Sequence, residues 1–127
     1  ADIHYNPSTD ELYVLTGAND GSGSVLTFAA GANGDVAPIR RIAGAATGMV
    51  NAAGLGFDDN SNELLVASGS FNAAPPHILG FPRTATGNVA PSRNISGPNT
   101  GVNGTSGWYD VVSVPMQNLF ANGFEQL

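Results

Sequence analysis

One block of sequence occurs twice in this chain, and a repeat of this length dictates stacked copies of a single supersecondary unit rather than one irregular core. Glu11-Leu12-Tyr13-Val14-Leu15-Thr16-Gly17 returns as Glu63-Leu64-Leu65-Val66-Ala67-Ser68-Gly69. Gly34-Asp35-Val36-Ala37-Pro38-Ile39-Arg40-Arg41-Ile42-Ala43-Gly44 returns as Gly87-Asn88-Val89-Ala90-Pro91-Ser92-Arg93-Asn94-Ile95-Ser96-Gly97. The offset is 52 residues in the first block and 53 in the second, so one residue is inserted between them, as a surface loop allows. A third copy starts near Asn103 and then stops matching. The chain therefore divides into one repeat over residues 1–51, a second over 52–103, and a partial third repeat with a C-terminal tail over 104–127.

Each unit breaks into four short strand candidates. In the first they are residues 2–5, 11–16, 24–28 and 39–43; in the second, 55–57, 63–68, 77–81 and 92–96. All are strand length, rich in β-branched and aromatic residues, and none shows the length or 3.6-residue period of a helix. Asn6-Pro7-Ser8-Thr9-Asp10 and Asp58-Asp59-Asn60-Ser61-Asn62 separate the first two strands of each unit, and such short polar side chains suit hairpin turns with left-handed residues. Pro38 and Pro91 sit just before the fourth strand, where an edge strand can dispense with one N–H. The fold class expected is all-β, in four-stranded antiparallel units with an outer edge strand. Their interiors are expected to be led by Leu12, Val14, Leu26, Phe28, Leu64, Val66, Leu79 and Phe81.

Composition removes several partner classes. The 127 residues carry a net charge of −6, with only four basic side chains, all arginine. Nucleic-acid binding needs clustered Lys and Arg to neutralise phosphates, so it is set aside. Cysteine is absent, which excludes disulfides and thiolate metal sites. No apolar run approaches the length of a transmembrane helix, and no signal-peptide core opens the chain. The start at Ala1, without an initiator methionine, reads as a piece of something longer. A low-charge, lysine-free chain rich in Gly, Asn and Thr suits an extracellular or periplasmic setting.

The stretch Gly54-Leu55-Gly56-Phe57-Asp58, followed by residues 63–67, by Ile78-Leu79-Gly80-Phe81 and by residues 87–95, resembles the repeat of bacterial β-propellers of the NHL-like and lactonase-like type. The resemblance covers nearly all of residues 1–102 and implies propeller-type blades, an incomplete propeller within one chain. Propellers host binding, scaffolding and catalysis alike, so it fixes architecture rather than activity. The tail around Asn118-Leu119-Phe120-Ala121-Asn122-Gly123-Phe124 resembles one found on some secreted gammaproteobacterial proteins.

Candidate site residues fall into three groups. Asp58, Asn60 and Asn62 place oxygens at alternating positions, as the start of a calcium loop does, but the loop glycine and distal glutamate of a full site are missing. A polar hairpin turn is the reading preferred; calcium is the one cofactor left open, and none is expected otherwise. Arg40 and Arg93 take equivalent places in the two units and suit either bidentate capture of a carboxylate ligand or cover of the blade edge, the latter preferred. Trp108 and Tyr109 suit a carbohydrate platform, yet Trp108 has no counterpart in the other units, which points to packing. His4 and His77, the only histidines, occupy different points of their units, and no Gly-x-Ser-x-Gly elbow appears, so no catalytic residue is assigned.

A propeller closes with about four to eight blades, and stacked repeats need at least about three units to bury a continuous core. Two units and a remnant leave apolar blade faces to be covered by copies of the chain or by further blades of a longer one. The functional expectation is a secreted, non-catalytic structural or binding module that self-associates into a ring or filament. The alternatives are a glycan- or small-ligand-binding, lectin-like propeller, and a metal-dependent lactonase-like hydrolase.

Overall fold

Polar Asx-rich turns between apolar strands produce hairpins, and hairpins in chain order produce the sheets. The computed structural model describes residues 1–17, 22–69 and 75–102. The first sheet runs β1 (Asp2–Asn6), β2 (Glu11–Gly17), β3 (Gly23–Phe28) and β4 (Arg40–Ala43). The second runs β5 (Gly54–Asp58), β6 (Glu63–Ser68), β7 (His77–Pro82) and β8 (Arg93–Ile95). Every neighbouring pair is antiparallel. The all-β expectation holds, with each strand within one or two residues of its expected bounds. The described residues form two separate sheets and no closed barrel or propeller.

The repeat extends to the backbone conformation at several turns. Asp10 and Asn62, equivalent across the two units, both take φ 56 at the close of their hairpin turns. A 3-10 turn follows each sheet, at Ala45–Thr47 and at Pro98–Thr100, and each is entered from a glycine, Gly44 or Gly97, at φ 123 or 106.

The two sheets pack through unlike faces. In the first, Tyr13, Leu15, Val25 and Ile42 point at the second sheet and are 0–1% exposed. The second answers with Leu55, Phe57, Leu64, Val66, Leu79 and Phe81, and together these form the hydrophobic core. Met49 and Ala52, from the segment joining the sheets, close the same cluster. On the inner side His4 stacks on Tyr13 at 6.4 Å and lies 6.4 Å from Phe57, while Tyr13 and Phe57 are 5.7 Å apart.

This arrangement divides the expected interior residues. Leu64, Val66, Leu79 and Phe81 are buried as expected. Their repeat equivalents Leu12, Val14, Leu26 and Phe28 are only half-buried. They lie on the outer face of the first sheet, in cross-strand register with Ile3 and Tyr5, which are 64% and 54% exposed. The physical reason is that β2 and β3 are apolar on both faces, and a sheet pairing with one neighbour can bury only one of them.

Candidate interaction surface

Glu11 ties the two sheets together. It opens β2, is 8% exposed, and its carboxylate accepts from Arg40 at 2.6 Å, from Arg83 at 3.0 Å and from the Tyr13 hydroxyl at 3.0 Å. Arg40 belongs to β4 of the same sheet, whereas Arg83 follows β7 of the other. Burial pushes the Glu11 carboxyl upward, but the hydrogen bonds from Arg40, Tyr13 and Arg83 outweigh it and leave it below the ordinary carboxylate range. Arg83 is itself held by Asn62, whose side-chain oxygen accepts from Nε at 3.1 Å and whose carbonyl accepts from the Arg83 N–H at 3.0 Å.

The loop after β7 adds a backbone join. Gly87 donates its N–H to the Arg41 carbonyl at 2.7 Å and accepts from the Ala43 N–H at 3.1 Å, a parallel bridge opposite Ile42 on the free edge of β4. Asn88 then accepts from the Ala46 N–H at 2.8 Å, and its side chain fills the space that a Cβ at Gly44 would occupy. Ala85 and Val89 of the same loop pack against the core. On the opposite side, Asp2 accepts from the Leu55 N–H at 2.8 Å, and Val50 is bound by Ser68 and Gly69.

The sequence candidates sit around this frame. Arg40 and Arg93 both contact the glutamate that opens the second strand of their own sheet: Arg40 to Glu11 at 2.6 Å, Arg93 to Glu63 at 2.7 Å. Each guanidinium thus engages an internal carboxylate from its place on the fourth strand. Asp58 and Asn62 flank the β5–β6 hairpin with Asn60 at its tip, and Asp58 pairs with Glu63 in register. Asp58 accepts from the Asn60 N–H at 3.0 Å and from the Ser61 hydroxyl at 2.6 Å. The Ser61 hydrogen bond, opposed by partial burial and aided by the backbone N–H groups and Arg93, holds its carboxyl below the ordinary range. These oxygens serve the turn, and a calcium ion there would compete with Ser61 and Arg93. Trp108 and Tyr109 lie outside the described residues. His77 contacts the Asn94 side chain at 2.9 Å, in the other sheet from the half-buried His4.

Cavities open on the first sheet among the described residues. One, about 580 Å³, is lined by Thr16, Ser24, Arg41 and glycines including Gly44 and Gly87, with the Thr16 and Ser24 hydroxyls 2.6 Å apart. Another, about 260 Å³, lies on the outer face between Leu12, Phe28, Ala32, Asn33, Gly34 and Val36. Neither brings together a nucleophile with a base among the described residues.

Comparison with family models, with curated proteins and with solved structures gave no match. Glu11, Arg83, Gly87 and Asn88 carry the contact between the sheets, and sequence reasoning singled out none of them. A signal existed for the first: Glu11 and Glu63 repeat in step with Arg40 and Arg93.

Proposed function

We propose that this chain is a non-catalytic structural or binding module of propeller-type blades that works by self-association, stacking its open sheet faces on those of other copies. One observation carries the reading. The half-buried outer face of the first sheet, with Val14, Leu26 and Phe28, is the repeat equivalent of the face of the second sheet that buries Val66, Leu79 and Phe81 against a neighbour. The second sheet in turn carries Leu65 and Ile78 on its far side, at the positions where the first sheet packs Tyr13 and Val25. Each chain so presents one face of either kind, and the contact made inside the chain is the pattern on which this reading is built. Sheets in face-to-face contact gain about 25 cal/mol for each Å² of apolar surface removed from water. A head-to-tail contact of this sort produces closed rings or open filaments. The lysine-free, low-charge composition supports an extracellular or periplasmic location.

Light scattering behind a sizing column tests this directly. The wild-type chain is expected to elute at multiples of its 12.9 kDa mass. Leu26→Asp, which puts a charge on the outer face, is expected to return it to a single chain with an unchanged circular dichroism spectrum. A folded wild-type monomer at every concentration would refute the proposal.

A further inference from the structure

The stacking reading leaves open how one copy finds its register on the next, and the loop that joins the two sheets inside the chain supplies a pattern for it. Gly87 docks on the β4 edge by its own N–H and carbonyl. The first unit carries the same Gly-x-Val-Ala-Pro run at residues 34–38, with Gly34 at φ 77 against φ 87 for Gly87. That earlier loop is presented on the outer face: Val36 is 45% exposed, whereas its equivalent Val89 packs on the core.

The receiving edge is likewise duplicated. β8 is the last strand of its sheet and pairs with β7 alone among the described strands. Ile95 is 36% exposed where its equivalent Ile42, covered by Gly87, is 1% exposed. Gly97 keeps the backbone of Gly44, at φ 106 and 123, and bridges Val102, yet beyond its chain neighbours no described atom lies within 4 Å of where its Cβ would stand, the space that the Asn88 side chain fills at Gly44. Residues 103–127 contain no further Gly-x-Val-Ala-Pro run. Among the described residues, then, one docking loop and one sheet edge are without a partner of this kind.

The geometry points to a second copy of this chain as the occupant: Gly34 of one copy pairs with Ile95 of the next, donating to the Asn94 carbonyl and accepting from the Ser96 N–H. Asp35 then takes the place of Asn88 and faces the Asn99 N–H across Gly97. The inference rests on the stacking reading and adds to it a defined register. The join differs from the internal one in its charged contacts: Asp35 brings a carboxylate where Asn88 is neutral, and Gly54 stands where Asp2 accepts from the Leu55 N–H. Ala30 stands where Arg83 stands, so the Glu63 carboxylate keeps Arg93 and gains no second arginine. Backbone pairing of this type adds a strand to an open sheet edge and gives affinity without requiring side-chain identity.

Cross-linking reads the register. Thr86 lies 3.5 Å from the Arg41 amide inside the chain, and the equivalent intermolecular pair is Asn33 and Asn94, both exposed. The chain has no cysteine, so introduced thiols react without background. Asn33→Cys and Asn94→Cys are made as separate variants, mixed, and treated with a short bismaleimide; the double variant Arg41→Cys/Thr86→Cys calibrates the reach within one chain. The expected result is a covalent dimer in the mixture that neither variant yields alone, and a ladder of higher species from Asn33→Cys/Asn94→Cys. If light scattering shows multimers and the calibrating pair links while the mixture does not, the register is overturned and stacking stands. A product linked within one chain, or from one variant alone, overturns the register as well. A monomer in light scattering overturns both.

Discussion

Replacing Glu11 with alanine is expected to lower the free energy of unfolding by about 3 kcal/mol, the scale of removing one partner from a largely buried ion pair. The loss is large because four donors converge on that carboxylate, the Tyr13 and Thr9 hydroxyls and two guanidinium groups, Arg40 from the first sheet and Arg83 from the loop after β7. Without it Arg40 and Arg83, both only half-buried, lose their counter-charge, and the sheets lose their charged tie. Glu63→Ala is the matched control. Its partner Arg93 has a side chain 42% exposed, so water screens the pair and the expected loss is about 1 kcal/mol or less. Urea denaturation followed by circular dichroism measures both, and equal losses would refute the role given to Glu11. The same carboxyl produces a pH dependence. It is held below its ordinary value of 4.5 in the folded chain, so its stabilisation is present above that pH and fades as the pH falls through 4.5 toward the depressed folded value. Glu11→Gln is expected to flatten this part of the acid limb of a stability-versus-pH curve.

Leu79→Ala and Leu26→Ala are the same substitution at equivalent places in two copies of one unit, and their expected effects differ severalfold. Leu79 is 1% exposed between the sheets. Its truncation removes buried methyl groups and leaves a cavity beside its cross-strand partner Val66, a loss of about 2–5 kcal/mol. Leu26 stands half-buried on the outer face, and in dilute solution its truncation is expected to cost about 1 kcal/mol or less. Binding to a partner stabilises the folded state by mass action, so the Leu26 penalty should grow with protein concentration while the Leu79 penalty does not. Melting temperatures of both variants across a concentration series supply the comparison, and a concentration-independent Leu26 effect would count against stacking.

The strands were legible because their chemistry is local. Alternating β-branched and aromatic residues, with Asp10 and Asn62 able to take left-handed backbone, fix the hairpins without reference to anything distant. The direction of each sheet was not legible in the same way. β2 reads Leu12, Tyr13, Val14, Leu15, apolar at every position, so a period of two cannot say which face turns inward. Only the position of the neighbouring sheet decides it, and that depends on the connection through Met49 and Ala52. The tie at Glu11 escaped for a different reason: its partners lie 29 and 72 residues away. Arg83 in particular breaks the repeat, since Ala30 holds its place in the first unit. Repeats advertise what two units share, and a contact made once between them is invisible to that comparison.

The packing of the two sheets has no two-fold axis, because Tyr13 of the first packs on Phe57 of the second, whose repeat equivalent is Tyr5 on the outer face. A dimer assembled on that pattern would finish with the same two unmatched flanks as a single chain. Addition of a subunit changes the number of joints and leaves the number of vacant ends constant. Final size would then be governed by the angle each joint turns through, since only a turn that sums to a full circle brings the first flank back to the last.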